Sequence, residues 1–300
     1  MEKRRLGKTG MEVTRLGLGL AEIGYKLGPG EKEQAERVLN EALDRGINFL
    51  DTSACYRDSE DLIGEAVSHR RDEYFLATKA GHSSGLGSQS WTAETVTKSI
   101  ERSLKRLRTD YLDLVQLHSC GVNVLEQGDV IRALEEAKEA GKTRFIGYSG
   151  DNEAAKWAVE SGLFDTLQTS FSLADQWARM ALFPKAEAQG MGIIAKRPIA
   201  NAVMAEWVTR DTYSSEYFDR VDKMMEDGPI PGAPEDPILL ALGFTLGHDV
   251  VDTAIVGTKD PDHVRENVEM VKNDLPISEE GIEELHRRFD KYEDNWRQRT

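Results

Sequence analysis

The sequence has very little cysteine and no long apolar run. Cys55 and Cys120 are the only cysteines in 300 residues, so we expect neither a disulfide framework nor a zinc cluster of spaced cysteines. No stretch approaches the ~20 apolar residues that cross a bilayer, and residues 1–5 lead into no apolar signal-peptide core. We therefore expect a cytoplasmic protein that makes no use of a membrane.

Basic residues are outnumbered as well. The 38 Lys and Arg residues stand against 53 Asp and Glu residues, which leaves a formal net charge of −15. This charge repels phosphates and argues against nucleic acid or an anionic membrane as a partner. The hydrophobic fraction of 39% and the charged fraction of 30% suit a globular chain with a full core.

Short β-like runs alternate with amphipathic helical patterns along the chain. The predicted strands are 16–20, 47–51, 74–79, 112–117, 143–148, 165–169, 191–195 and 252–256. The predicted helices are 31–45, 59–69, 92–108, 125–140, 152–162, 179–189, 237–247 and 261–272. Alternation of this kind predicts parallel strands joined by right-handed crossovers, and eight strands close a barrel. We therefore predict an α/β fold, a (β/α)8 TIM barrel formed by residues 1–300 as a single domain.

Three segments lie outside this alternation. Residues 8–10, Lys-Thr-Gly, separate two short β-like segments and predict an N-terminal hairpin. Residues 278–296 predict an extra C-terminal helix. The connection 199–236, which contains Tyr213 and Tyr217, is unusually long. It is either a cover over a cofactor or substrate, or a surface insertion without such a role.

Candidate catalytic residues follow three of the predicted strands. Asp51 ends one strand and Tyr56 lies in the loop after it, while Lys79 and His118 end the next two. A phenol with a pKa near ~10 is a poor proton donor at neutral pH unless a nearby cation favours its anion. Lys79 is that cation in our interpretation, Asp51 keeps it charged, and His118 hydrogen-bonds the same substrate oxygen. The set predicts proton donation to a carbonyl oxygen as a hydride reaches carbon.

Two other kinds of site find no support in the spacing. Gly17-Leu18-Gly19 lacks the third glycine of a dinucleotide-binding fingerprint. His69, His82, His248 and His286 have no metal-ligand spacing. We interpret these histidines as structural or solvated and predict no metal site.

The order and spacing of the catalytic candidates resemble the aldo-keto reductase family over nearly the whole chain. The motifs that carry the resemblance are Arg5 to Val13, Leu16 to Gly19, Asp51-Thr52 with Tyr56, Ser59-Glu60 and Gly64, Ala77-Thr78-Lys79, Ser103 to Leu114 with Leu117-His118, Ile146-Gly147 with Ser149, and Ile255 to Thr258 with His263-Val264 and Glu266-Asn267. The resemblance implies that the hairpin plugs the bottom of the barrel. It also implies an oxidoreductase that interconverts a carbonyl (aldehyde, ketone or sugar) and an alcohol, with Tyr56 as general acid or base.

The same resemblance implies a nicotinamide cofactor lying extended across the carboxyl ends of the strands. Ser149 and Gln168 would bind its carboxamide, and the loops after the last two strands would hold its pyrophosphate and adenosine. The predicted cofactor-binding set is Ser149, Gln168, Lys196, Arg197, Gly257, Thr258, Lys259, His263, Glu266 and Asn267. Tyr25 and Trp91, in or near βα connections, are candidate substrate-binding residues, although local packing explains them equally well.

Several positions depart from the family pattern. Gly150 stands where Asn often follows the serine, and Lys196 stands where an aromatic ring commonly stacks on the nicotinamide. Gly257 and His263 occupy places often held by the Lys and Arg that grip a 2′-phosphate, and Lys259 partly compensates. The family favours NADP(H), and these departures leave NAD(H) open.

Two rival functions stay open at this point. One is a catalytically weak barrel of the same family that senses a cofactor and regulates a protein partner. The other is a barrel lyase or isomerase that uses Lys79 as a Schiff-base nucleophile, which leaves Tyr56 and His118 unexplained. For the reductase we expect a small-molecule carbonyl or alcohol substrate and a monomeric chain.

Overall fold

The computed structural model describes residues 1–206, 208–211, 214–293 and 296–299. Its strands are β1 (Lys3–Arg5), β2 (Glu12–Thr14), β3 (Leu16–Gly19), β4 (Phe49–Asp51), β5 (Phe75–Ala80), β6 (Leu112–His118), β7 (Thr143–Ser149), β8 (Thr166–Ser170), β9 (Gly192–Lys196) and β10 (Thr253–Gly257). Strands β3 to β10 pair in parallel, and β10 pairs with both β3 and β9, so the barrel is closed. The predicted (β/α)8 barrel is confirmed.

The helices surround the barrel and end the chain. They are α1 (Ala21–Lys26), α2 (Lys32–Asp44), α3 (Ser59–Val67), α4 (Ala93–Leu107), α5 (Val122–Gln127), α6 (Asp129–Glu139), α7 (Asn152–Ser161), α8 (Trp177–Ala181), α9 (Phe183–Ala188), α10 (Ser215–Met225), α11 (Pro237–Leu246), α12 (Pro261–Asn273) and α13 (Glu279–Tyr292). Short 3-10 turns lie at Gly7–Thr9, Pro29–Glu31, Ser68–Glu73 and Ala200–Ala202. None of the helices in the described part of the chain is both long and apolar enough to cross a bilayer.

The N-terminal hairpin closes the lower end of the barrel. Strands β1 and β2 are antiparallel, and the apolar residues Leu6, Met11 and Val13 are buried with side chains from the barrel strands. Those strand residues are Phe49, Ala77, Leu114, Ile194 and Ile255. The hairpin cap predicted from residues 8–10 is therefore confirmed, and it fills an interior that would otherwise be open to water.

The barrel interior becomes polar towards the carboxyl ends of the strands. Successive residues of a strand point to opposite faces, so residues two apart share a face. Two positions beyond Phe49, Ala77 and Leu114 stand Asp51, Lys79 and Gln116, all buried. The same alternation that packs the apolar lower layer thus delivers polar side chains to the layer above it.

Two predicted helices are interrupted, which corrects the sequence interpretation. The segment predicted as one helix, 125–140, is α5 and α6, because Gly128 between them has a φ of +78° and ends the first helix in the left-handed region. The segment predicted as 179–189 is α8 and α9. Pro184 lies in the first turn of α9, and its missing N–H prevents α8 from continuing.

The long connection 199–236 contains a helix that the sequence analysis did not predict. Helix α10 buries Tyr217 and Met224 and packs against α13. The Tyr217 hydroxyl donates to Asp175 Oδ2 at 3.0 Å, which ties α10 to the loop after β8. Tyr213, which the sequence analysis placed in this connection, lies outside the described residues.

Helix α13 is shorter than predicted and is held by one buried arginine. It ends at Tyr292, and the predicted extension to residue 296 includes Asp294 and Asn295, which lie outside the described residues. Arg288 of α13 donates to the carbonyl oxygens of Met224, Gly228 and Pro229 and to Glu284, at 2.7 to 3.0 Å. With 1% of its surface exposed, Arg288 fastens α13 to the end of α10 and the loop after it.

Replacing Arg288 by Met should destabilise the fold by about 3–5 kcal/mol, because three backbone carbonyls and Glu284 lose a buried charged donor. Chemical denaturation followed by circular dichroism measures this loss. Arg287→Met is the matched control, since Arg287 is the exposed neighbour and pairs with the same Glu284. Equal losses in the two variants would contradict the role of Arg288 as a buried clamp.

Candidate active site

The carboxyl ends of β4, β5 and β6 bring the four predicted catalytic residues together. Lys79 Nζ lies 2.5 Å from Asp51 Oδ2 and 2.9 Å from the carbonyl oxygen of Thr52. The same nitrogen lies 5.0 Å from the centroid of the Tyr56 ring. The centroids of Tyr56 and His118 are 5.7 Å apart. Neighbouring strands therefore place an acid, a cation, a phenol and an imidazole around one point.

Lys79 is a buried cation whose charge is matched. Burial is the largest single effect and lowers the pKa of Lys79, but the charges of Asp51 and Tyr56 and the hydrogen bond to Asp51 together outweigh it, so the net pKa is raised. Asp51 Oδ1 accepts a hydrogen bond from Gln168 Nε2 at 2.7 Å, so both carboxylate oxygens have partners. Lys79 is therefore held protonated and fixed in place.

Burial and a nearby cation have opposite effects on the pKa of the Tyr56 phenol. Burial is the larger effect and raises its pKa to about 12, while the charge of Lys79 acts in the opposite direction. The contribution of Lys79 thus has the sign that the sequence analysis expects, but the net shift is upward. The phenol is protonated at neutral pH and is placed to donate.

His118 is a neutral imidazole. Burial, followed by the charges of Lys79, His82, Lys196 and Arg197, holds its pKa well below 6.5. Ser53 Oγ lies 3.1 Å from its Nδ1, and Cys55 Sγ lies 3.4 Å from the same nitrogen. A neutral imidazole has one N–H, so a donor at Nδ1 leaves that N–H on Nε2.

Ser149 and Gln168, predicted to bind a carboxamide, lie beside the catalytic residues. Ser149 Oγ donates to Gln168 Oε1 at 2.9 Å, and Gln168 in turn donates to Asp51. Both side chains are buried, Ser149 at the end of β7 and Gln168 in the middle of β8. A hydroxyl and an amide form an uncharged donor and acceptor set that fits a carboxamide group.

Lys196 and Arg197 share a partner that the sequence analysis missed. Asp151 Oδ2 lies 2.7 Å from Lys196 Nζ and 3.7 Å from Arg197 Nη1. The Asp151 side chain is fully buried, and its Oδ1 accepts from the Ser170 N–H at 2.8 Å. An acid three residues beyond the end of the predicted strand 143–148 was the available signal, since buried acids near strand ends need a cation.

The C-terminal segment 296–299 covers the ends of β8 and β9. The Arg299 carbonyl oxygen accepts a hydrogen bond from Arg197 Nη1 at 2.5 Å. Gln298 is buried and donates to Thr169 Oγ1 and to the Ser170 carbonyl, at 2.9 and 2.7 Å. Arg197 therefore has partners in addition to Asp151, and neither predicted cation is available as an unpaired anion anchor.

A steric constraint explains why glycine occupies position 150. A Cβ atom built on it would lie 2.5 Å from the Tyr148 hydroxyl oxygen, which is closer than real contacts allow. The Tyr148 hydroxyl donates to the Cys120 carbonyl at 2.8 Å and is thereby fixed. The asparagine that often follows the serine in related sequences would not fit against Tyr148.

The last strand ends in a surface that can accommodate a phosphate-bearing ligand. Gly257 pairs with Gly19, and neither carries a side chain over the adjoining ends of β10 and β3. Beyond them Thr258 is buried and lies 3.3 Å from His263 Nδ1, while Lys259 and Glu266 are exposed. Bare backbone lies next to one exposed cation, Lys259, which leaves room there for a phosphate group. Asn267 is buried beneath this surface in α12.

Tyr25 and Trp91 border the catalytic residues on two sides. The rings of Tyr25 and Tyr56 are 5.7 Å apart, and Tyr25 is 47% exposed. Trp91 Nε1 donates to the His118 carbonyl at 2.9 Å. Both aromatic residues are thus placed where a substrate would meet Tyr56 and His118.

The structure also brings together three side chains that sequence spacing does not connect. Cys55, His82 and His118 each offer a potential metal-ligand atom, and these atoms all lie within 4.8 Å of one another. His82 was interpreted as structural or solvated. The cluster forms only because β4, β5 and β6 are neighbours in the barrel.

Comparisons with known proteins agree with this geometry. The Aldo/keto reductase family model matches residues 15–287. The uncharacterized oxidoreductase YqkF of Bacillus subtilis is 30% identical, covering 97% of this chain and 98% of its own. L-galactose dehydrogenase of Arabidopsis thaliana is 29% identical, covering 95% and 93%. The holo form of the aldo-keto reductase AKR11C1 from Bacillus halodurans matches with a TM-score of 0.83 at 28% identity, covering 96% of each chain.

The chain belongs to the aldo/keto reductase family, because the family model matches most of its length. The predicted family is therefore confirmed. Members of the family are oxidoreductases that use NAD(P)H, and the chain is accordingly an oxidoreductase of small carbonyl compounds and alcohols.

The depressed pKa of His118 predicts a change of stability with pH. Below pH 6.5 the unfolded chain takes up a proton at His118 that the folded protein does not, so the free energy of unfolding falls as pH falls. His118→Asn removes this effect. The wild-type stability minus that of the variant should decrease by about 1.4 kcal/mol per pH unit below pH 6.5. Urea denaturation from pH 7 to pH 5 measures it.

His69→Asn is the control for the loss of a histidine, because His69 is exposed and lies in the 3-10 turn Ser68–Glu73, outside the barrel strands. A constant difference between wild type and His118→Asn across this pH range would contradict a neutral His118.

Proposed function

We propose that the protein interconverts a carbonyl compound and an alcohol, with Tyr56 as the general acid and base and with NAD(P)(H) as the cofactor. The observation that carries the proposal is the position of the Lys79 ammonium between Asp51 and the Tyr56 ring. A fixed cation next to a buried phenol stabilises the phenolate that proton donation leaves behind.

The proton moves along a short path in this proposal. In the reducing direction Tyr56 donates its phenolic proton to the carbonyl oxygen, and Lys79 stabilises the phenolate. A bound nicotinamide supplies the hydride that reaches the carbonyl carbon. In the oxidising direction the phenolate accepts the alcohol proton, so the same side chains serve both directions.

His118 orients the substrate oxygen in this proposal. Its neutral ring cannot transfer a proton as an imidazolium, since its pKa lies far below neutrality. In the tautomer that we assign, Nδ1 accepts a hydrogen bond from Ser53 Oγ, 3.1 Å away, and the Nε2–H donates to the carbonyl oxygen. Two donors, the Tyr56 phenol and the His118 N–H, thus converge on one oxygen.

The proposed cofactor contacts divide into three groups. Ser149 and Gln168 hold the carboxamide by hydrogen bonds. Lys196 and Arg197, anchored by Asp151, line the path of the cofactor as a group with one net positive charge. The bare ends at Gly257 and Gly19, with Thr258, Lys259, His263, Glu266 and Asn267, hold the phosphate and adenosine end.

The substrate class is a small aldehyde, ketone or sugar. Tyr25 and Trp91 flank the catalytic residues and offer ring faces to such a molecule. Because one relative is named L-galactose dehydrogenase, we include aldoses in the substrate panel together with simple aldehydes.

Tyr56→Phe should lower kcat by a factor of roughly 10²–10⁴, because it removes the proton donor but keeps the ring. Fluorescence titration should show unchanged nicotinamide binding, and circular dichroism an unchanged fold. Tyr74→Phe is the matched control: burial likewise raises the pKa of Tyr74 to about 12, but its hydroxyl donates to the Val67 carbonyl away from the site. Full turnover by Tyr56→Phe would refute the assignment.

The choice between NADPH and NADH should depend on the end of β10. His263→Arg places a bidentate cation next to Thr258, where a 2′-phosphate would lie, and should tighten NADPH binding roughly tenfold without tightening NADH binding. Titration of protein fluorescence with each nucleotide measures both constants. Arg265→His, on the same helix, is the control. An equal gain for the two nucleotides would place the 2′-phosphate elsewhere.

A second candidate function rests on the pairing of Lys196 and Arg197 with Asp151. If these paired cations and the missing aromatic at 196 impair hydride transfer, the barrel would bind nicotinamide as a sensor and regulate a partner protein. Nucleotide binding with negligible turnover on the whole carbonyl panel would favour this function over the reductase.

A further inference from the structure

The cluster of Cys55, His82 and His118 shares His118 with the proposed active site. The proposed reaction uses neither Cys55 nor His82. Its three potential ligand atoms are mutually within 4.8 Å, and Cys55 Sγ and His118 Nδ1 are 3.4 Å apart. Metal–sulfur bonds of ~2.3 Å and metal–nitrogen bonds of ~2.0–2.1 Å separate two ligand atoms of a tetrahedral site by roughly 3.3–3.6 Å. Cys55 Sγ and His118 Nδ1 already lie at that spacing, and any ligand pair that is farther apart must move closer. A metal ion can bind there with small side-chain adjustments.

The three ligands come from three successive strand ends and are held by their own contacts. Cys55 and His82 lie in the loops after β4 and β5, and His118 ends β6. The His82 ring packs edge-on against His118, with centroids 4.8 Å apart, and against Trp91 at 5.1 Å. All three are half-buried, so an ion can reach them while the surrounding protein keeps them in place.

Burial favours metal binding at the two histidines and opposes it at the cysteine. Metal ions take neutral imidazole, and both histidines are neutral at physiological pH because burial lowers the pKa of each. Cys55 is a thiol until a metal binds, because burial raises its pKa, and its proton then passes to solvent. The resulting thiolate offsets half the charge of a divalent ion, which limits the repulsion from nearby Lys79.

The donor set selects the kind of ion. One thiolate and two imidazoles suit Zn²⁺ and related borderline or soft ions rather than Mg²⁺ or Ca²⁺, which prefer oxygen. Three protein ligands leave the fourth tetrahedral position open, as in sites where zinc binds a further small ligand. Ser53 Oγ lies 3.2 Å from Cys55 Sγ and 3.1 Å from His118 Nδ1, so it contacts two of the three ligand residues.

We propose that Cys55, His82 and His118 form a binding site for Zn²⁺ whose occupation inhibits the enzyme. Coordination draws the His118 ring towards Cys55 and His82 and replaces its contact with Ser53, so the imidazole no longer orients the substrate oxygen. Metal binding rests on the cluster alone, whereas inhibition rests on the proposed function of His118.

The first experiment measures binding without turnover. Titration of the full-length protein with Co²⁺ should give a thiolate-to-cobalt charge-transfer band at one ion per chain, and Zn²⁺ should abolish the band by displacement. Cys55→Ala should abolish the band. His82→Asn should weaken Zn²⁺ binding by at least roughly 10–100-fold, because loss of a residue that only supports a ligand already costs that much. Cys120→Ala and His69→Asn are the matched controls and should bind as wild type does.

A second control removes the other histidine pair of the described chain segments. His248 Nε2 and His286 Nε2 lie 3.1 Å apart, so His286→Gln tests whether an ion binds there instead. Unchanged cobalt spectra in Cys55→Ala, or loss of binding in His286→Gln alone, would overturn the proposed site.

The second experiment measures turnover of wild type and Cys55→Ala against Zn²⁺ concentration. Cys55 Sγ lies beside His118 Nδ1, so the rate of each protein is compared with its own rate in the absence of metal. Wild type should be inhibited reversibly by Zn²⁺ and recover with a chelator, while Cys55→Ala should need at least a roughly tenfold higher concentration. Stoichiometric binding without inhibition would overturn the inhibitory role. A cobalt band in a protein that turns over no substrate would count against the proposed function instead, and leave the metal site supported.

Discussion

The buried ion pair between Lys79 and Asp51 is the interaction on which the active site depends. Lys79 is 2% exposed, and an isolated charge at that depth would be expensive or would be lost by deprotonation. Asp51 at 2.5 Å, the Thr52 carbonyl and the amide of Gln168 supply the missing partners. Asp51 ends β4 and Thr52 follows it, Lys79 lies on β5, and Gln168 of β8 donates to Asp51, so the complete set forms only when these strands meet in the closed barrel.

The lower half of the barrel interior is an apolar core, and the upper half carries the polar side chains of the candidate active site. The hairpin residues Leu6 and Met11 pack the lower half with Phe49 and Leu114, which leaves the polar layer of Asp51 and its neighbours only one open end. Substrate and solvent must therefore reach Lys79 from the carboxyl ends of the strands. Desolvation from below raises the pKa of Tyr56 and lowers that of His118, so one environment sets the protonation of both.

A second buried acid organises the other side of the site. Asp151 pairs with Lys196 and Arg197, and the chain end at residues 298–299 adds hydrogen bonds to the same strand ends. Asp151 thus offsets one of the two positive charges of Lys196 and Arg197. In the proposed complex with the cofactor, phosphate binding therefore depends more on the end of β10, where Lys259 and His263 are exposed.

Local patterns were sufficient for the barrel, the hairpin and the family, because alternation of strands and helices and the spacing around Asp51, Tyr56, Lys79 and His118 are properties of the chain read in order. Local patterns did not predict the contacts of Asp151 with Lys196, of Arg288 with the loop after α10, or of Cys55 with His82. In each of these contacts the two partners lie tens of residues apart in the chain. Local patterns also did not predict helix α10. Closure of the barrel brings such residues together, since only then do neighbouring strand ends meet and buried charges find partners.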